Sequence, residues 1–182
     1  MPRPKRVAIT GGIGAGKTAA LRAFERHGAA VSSSDEIVHD LIEHDEDVRA
    51  ALLERLGTTE RGEIASVVFA DRGELDWLEG LLHPRVAERH ARWLERQDAP
   101  LAVVEIPLLY ETGGEKRFDA VVAITAPREV REARARVPLA GRSDRLIPDD
   151  EKVRRADFAY VNAGSLEELD AWVARVVEEL TE

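Results

Sequence analysis

Residues Gly11-Gly12-Ile13-Gly14-Ala15-Gly16-Lys17-Thr18 spell G-x-x-x-x-G-K-T and directly follow an apolar run, Arg6-Val7-Ala8-Ile9-Thr10. A strand, a glycine loop and a helix start in that order predict a phosphate-binding loop. Without Cβ atoms, successive amides can approach a polyphosphate, and a helix beginning near Lys17 points the positive end of its dipole at the same charge. The Lys17 ammonium suits the β- and γ-phosphates of a nucleoside triphosphate, and the Thr18 hydroxyl suits Mg²⁺. A chance match to the whole pattern in this chain is about 1% or less. Gly11, Gly12, Ile13, Gly14, Ala15, Gly16, Lys17, Thr18 and Ala19 are the candidate ATP-binding residues.

Three other places carry reactive side chains next to strand-like or helical runs. Asp35 follows Ala29-Ala30-Val31-Ser32; a carboxylate there can take the proton of an attacking hydroxyl or cap the next helix. Glu105 interrupts the otherwise apolar run Leu101–Ile106. A buried lone charge is costly, so a cation or water network would explain it, the alternative being an exposed strand end. His83 precedes Pro84, a position open to a helix-bend cap as well as to a ligand.

Alternating patterns set the frame that must hold these residues. Strands are predicted near 6–10, 29–32, 101–106, 120–125 and 158–161, with helices at 17–27, over 36–57 as two pieces, at about 73–96, opening on Pro127 as first residue, near 149–156, and from a Ser165/Glu168 capping box onward. Residues 57–62 read as turn, Val67–Phe69 as a short apolar patch, and Pro84 as a bend or restart. The alternation predicts an α/β fold with a mostly parallel sheet. The chain has 182 residues, enough for one such domain. Its 35 acidic against 26 basic residues give a net charge of −9, which disfavours nucleic acid as partner. Zero cysteines exclude disulfides and thiolate chemistry. No membrane-length apolar run and no signal-like core is visible, so a cytoplasmic monomer is the expectation.

Among users of such loops, no Asn-Lys-x-Asp guanine signature is present, and a small-molecule kinase is favoured. The motifs then become specific. Thr10–Thr18, Val31 through Asp35 with Ile37-Val38-His39, Val68-Phe69-Ala70-Asp71, Leu78-Glu79-Gly80-Leu81-Leu82-His83-Pro84-Arg85-Val86, Pro107-Leu108-Leu109-Tyr110-Glu111, Ala156-Asp157-Phe158 and Asn162-Ala163-Gly164-Ser165 occur in that order. The chain thereby resembles the dephospho-CoA kinases along almost its whole length.

The resemblance implies ATP-dependent phosphorylation of the ribose 3′-hydroxyl of dephospho-CoA, with ATP and Mg²⁺ as cofactors; Thr18, from the loop motif, and Glu105, from its place in an apolar run, are the candidates for the metal side. It implies a P-loop kinase three-layer sandwich: a five-stranded parallel sheet with its core over about 1–35, 99–130 and 156–182. It adds a helical acceptor-binding region over about 36–98 and a lid over about 131–150. Asp35 would be the base or orient the hydroxyl; His83, Arg85, Leu108 and Glu111 would belong to the acceptor side; Asn162 and Gly164 would lie near the ATP base. Of Arg131, Arg134, Arg136, Arg142 and Arg145, the first candidates to stabilise the transferring phosphoryl group are Arg134 and Arg142. The chain departs from the family pattern where Ser33-Ser34-Asp35 replaces Asp-x-Asp, in a shortened 57–67 segment without Leu-Asp-Arg, and in an abbreviated lid with Arg145 near a missing Gln. A kinase of another small alcohol or nucleoside, and an ATP-binding protein without turnover, are the competing expectations.

Overall fold

The five expected strands form, as β1 (Lys5–Thr10), β2 (Ala30–Ser33), β3 (Leu101–Glu105), β4 (Ala120–Thr125) and β5 (Phe158–Val161). They make one sheet in the order β2-β3-β1-β4-β5, every neighbour parallel. The structure is a computed structural model in which residues 3–134 and 146–182 are described. It divides into two units, one running to Ser33 and resuming at Arg96–Glu182, the other spanning Ser34–Glu95.

In the first unit, β3 is buried along its whole length, as a strand covered on both faces must be. On one face, α1 (Lys17–Arg26) and α8 (Leu166–Thr181) bring Leu21, Phe24, Leu169, Val173 and Leu180 against Val7, Ile9, Val103, Val122 and Ile124. The Phe24 ring is 0% exposed, and its burial stabilises the unit by roughly 1.5–3 kcal/mol. On the other face, Ala8 and Val121 pack with Leu109 and Tyr110, joined by Ile147 and Ala156. The result is three layers, a sheet between two coverings. α6 (Arg128–Arg134) and α7 (Asp149–Arg155) complete the described helices of this unit. Pro127 stands one residue before α6 rather than as its first residue, its carbonyl accepting from the Arg131 amide. α7 has Asp149, Asp150 and Glu151 in its first turn and Lys152, Arg154 and Arg155 in its last, the charge order its dipole favours. The capping box at α8 forms as expected from both Ser165 and Glu168.

The second unit is a cluster of four helices, α2 (Ser34–His44), α3 (Glu46–Leu56), α4 (Arg61–Ala70) and α5 (Arg72–Glu95). The two pieces expected over 36–57 are divided at Asp45, whose side chain accepts from the Val48 amide, and end at Gly57 with φ 73°. Two expectations are corrected here. The 61–70 stretch is a helix, not turn and isolated patch: Ile64 and Val68, one turn apart, are buried with Leu52, Leu82 and Val86, so packing overrides the poor propensity of Gly62 and the valines. α5 also runs through Pro84 without restarting. Pro84 removes one ladder donor, and beside it the Arg85 guanidinium donates to the Leu81 carbonyl at 2.7 Å.

Candidate active site

The strand register lines up the carboxyl ends of the sheet. Ser33 pairs with Glu105, Glu105 with Ile9, and Thr10 with Ala123. Four strands end on a polar residue, Ser33, Glu105, Thr10 and Thr125 on β2, β3, β1 and β4, and Asn162 follows β5. Thr10, Ser33, Glu105 and Asn162 are all buried. In an open parallel sheet ligands bind beyond this edge, and a row of enclosed polar groups there needs partners.

The loop after β1 is built for close approach. Gly11, Gly14 and Gly16 have φ of 146°, 74° and 96°, the last as the left-handed N-cap of α1. A Cβ on Gly11 would lie 1.9 Å from the Ile124 carbonyl oxygen, and one on Gly16 2.2 Å from the Asn162 Nδ2. The amides of Gly14, Gly16, Thr18 and Ala19 donate to no backbone carbonyl among the described residues. Donors left open at a helix N-terminus are what an anion-binding loop requires. Lys17 lies across it, its Nζ donating to the Gly12 carbonyl at 2.9 Å, while Thr18 is exposed in the first turn of α1. Ile13 is half-buried and Ala15 fully buried.

α6 and the start of α7 flank this loop. Arg131 and Asp149 form an ion pair at 3.0 Å, and Asp149 also accepts from the Thr125 hydroxyl at 3.2 Å. Arg134 donates to the Asn162 carbonyl at 3.2 Å. Asn162 in turn donates its Nδ2 to the Ala15 carbonyl at 3.0 Å and its amide to Thr125 at 2.7 Å, tying the end of β5 to the glycine loop. Gly164 has a structural reason to lack a side chain: a Cβ would meet the capping Glu168 carboxylate at 1.7 Å. Arg136, Arg142 and Arg145 lie outside the described residues.

Glu105 is 2% exposed, so the exposed-end alternative fails. The Ser33 hydroxyl donates to its Oε2 at 3.2 Å. Past β3, Leu108 is half-buried and its carbonyl accepts from the Thr112 hydroxyl at 2.9 Å. Glu111 pairs through Oε1 with Lys152, itself 2% exposed, at 2.8 Å, and accepts from the Ile147 amide at 3.1 Å. Lys152 also donates to the Pro107 carbonyl at 3.2 Å. Glu111 therefore anchors α7 to the loop after β3. Neither this pair nor Arg131–Asp149 is marked in the sequence, because partners so far apart along the chain carry no periodic signal.

In the second unit, Asp35 is exposed in the first turn of α2, with no hydrogen bond or ion pair to a described residue. α2 already begins at Ser34, so Asp35 is inside the helix and not its cap. The Ser34 hydroxyl hydrogen-bonds the Nε2 of His90 at 3.0 Å, joining the start of α2 to α5. His83 and Arg85 are half-buried on α5.

Burial of His90 lowers its pKa from 6.5 to about 4, so the folded chain keeps it neutral while the unfolded chain protonates it below about pH 6.5. Stability from this group is complete above that pH and falls as pH drops from 6.5 to 4, by up to about 3 kcal/mol. Urea unfolding at pH 7 and pH 4.5 should therefore show a larger loss for the natural chain than for His90→Gln. Equal losses would mean that His90 charges freely when folded.

The family model for dephospho-CoA kinase matches residues 5–168. A dephospho-CoA kinase of Rhodopseudomonas palustris is 35% identical, covering 94% of this chain and 93% of the relative. One of Protochlamydia amoebophila is 33% identical, covering 99% and 98%. Among solved structures, a Thermus thermophilus protein superposes with a TM-score of 0.76 at 32% identity over 100% of both chains. The dephospho-CoA kinase from Campylobacter jejuni gives a TM-score of 0.67 at 24% identity over 97% and 96%. A shikimate kinase from Aquifex aeolicus gives 0.55 at 16% identity over 96% of each, a likeness of fold alone.

Proposed function

The chain belongs to the dephospho-CoA kinase family, and from that premise we propose how its residues carry out the transfer. The reaction is ATP-dependent phosphorylation of an alcohol on a small molecule, the ribose 3′-hydroxyl of dephospho-CoA, giving coenzyme A and ADP. What supports the residue assignment is the glycine loop, where amides without a backbone acceptor among the described residues meet a helix start and the Lys17 side chain. Residues Gly11 through Ala19 bind the triphosphate, Lys17 follows the charge that develops on the γ-phosphoryl oxygens, and Arg131 or Arg134 adds to it from α6. The attacking oxygen forms a bond to the γ-phosphorus as the bond to the β,γ-bridging oxygen breaks, and Asp35 accepts or directs the hydroxyl proton. His83 and Arg85 serve the acceptor side, Arg85 as a partner for its phosphates. Asn162 and Gly164 belong to the adenine side.

Mg²⁺ fits the donor set at this edge. Thr18 offers a hydroxyl and Glu105 a buried carboxylate. That is the sparse oxygen set Mg²⁺ takes together with substrate phosphates, where it neutralises their charge. Among the described residues no helix is long and apolar enough to cross a membrane. The net charge of −9 argues for a small-molecule partner rather than nucleic acid.

An assay with MgATP tests the function directly. ADP should form only when dephospho-CoA is present, and coenzyme A should form in equal amount. ADP formation with a different alcohol alone would move the acceptor assignment, and ATP binding without turnover on any acceptor would leave a binding protein.

A further inference from the structure

Arg131 meets a carboxylate at the place where the glycine loop would receive phosphate. A Cβ on Gly12 would lie 2.6 Å from an Arg131 terminal nitrogen and 2.9 Å from both Asp149 carboxylate oxygens, and one on Gly14 would lie 2.6 Å from the Arg131 carbonyl. The pair therefore rests against the loop itself. Only 25% and 20% of the two side chains is exposed, and the buried Arg131 Nε has no hydrogen-bond partner among the described residues. Thr125 holds the carboxylate from β4.

We propose that Asp149 is an anionic stand-in: it neutralises Arg131 while the loop is empty and yields that guanidinium to the phosphates of ATP. The proposal deepens the assignment of the loop as an ATP site and rests on it. A guanidinium fork takes a carboxylate and a phosphate with the same two-pronged geometry, so the exchange needs no new donor. It also supplies the Nε–H that lacks a partner with an acceptor. A carboxylate left beside a triphosphate would oppose its binding, which makes Asp149 a positioning residue whose cost appears in nucleotide affinity. The charge it holds in place keeps a cation from being buried uncompensated before ATP arrives.

Direct calorimetric titration of the whole chain with MgATP and no acceptor tests this. Asp149→Asn should tighten ATP binding about 10-fold, since Arg131 no longer has to be drawn from a charged partner. Arg131→Ala should weaken it by about as much, and adenosine, which has no phosphate, should bind the natural chain and Asp149→Asn equally. Loss of fold cannot produce tighter binding, so tightening separates the exchange from a merely structural pair. ATP affinity that is unchanged or weaker in Asp149→Asn, or unchanged in Arg131→Ala, would overturn the proposal while the natural chain still binds ATP. If the natural chain bound no ATP, the assignment of the loop itself would fall, and the exchange with it.

Discussion

Lys17→Ala is expected to lower kcat by about 10²–10³-fold and to weaken ATP binding, with little change in melting temperature. The ammonium sits on the first residue of α1 and already bridges back to the Gly12 carbonyl at 2.9 Å, so it is held over the loop before any nucleotide is present. Charge that develops on the γ-phosphoryl oxygens meets a cation whose position costs no further ordering. Alanine keeps the helix start, because Ala is the best helix former and Gly16 still supplies the left-handed N-cap. Lys17→Arg is expected to recover little, since a planar fork does not replace a compact ammonium inside a loop of this size. Steady-state kinetics with varied ATP and an independent binding titration check the two halves. Normal affinity and normal turnover in Lys17→Ala would remove the loop from the reaction.

The sheet was legible because β1, β3 and β4 carry apolar runs bounded by glycine or proline and the short β2 and β5 fall in the same alternation, and the ATP loop because its glycines have no other common use. Asp35 and Glu105 stood out as carboxylates at the ends of such runs, a signal that survives without any knowledge of neighbours. α4 was hidden because Gly62, Val67 and Val68 are poor helix formers, and only burial of Ile64 and Val68 against other helices decides the matter. Arg131 was one of five candidate lid arginines with no pattern to choose among them, and only the folded chain shows that it pairs with Asp149. The Ser34–His90 and Glu111–Lys152 contacts were likewise invisible. Their partners lie on separate elements, and no spacing rule relates them. Gly164 shows the reverse case: a glycine in a motif with a family role also has a local reason, the room that Glu168 needs to close its capping box.

Asp35→Asn should lower kcat by about 10²-fold or more while the affinity for ATP stays nearly constant. The substitution keeps size and shape, and the fold depends on the charge only through the dipole of α2, about 0.3–1 kcal/mol: Asp35 is exposed and bonded to no described residue. The start of α2 is fixed instead by Ser34 and the neutral His90, so the backbone that carries position 35 should not move. A carboxamide can still accept a hydrogen bond from the acceptor hydroxyl but cannot take its proton. The split between kcat and ATP affinity is therefore informative, because a structural lesion would lower both. Asp35→Glu keeps the chemistry but shifts the oxygens by one methylene, and an intermediate rate is expected where precise placement matters. Ser33 stands two residues before Asp35, where the family pattern has its other carboxylate, but its hydroxyl is engaged with Glu105, so it is poorly placed to substitute for the missing carboxylate. If Asp35→Asn turned over dephospho-CoA at the natural rate, proton transfer would have to be assigned to another group, and the exposed carboxylate after β2 would be a surface residue with no part in the reaction.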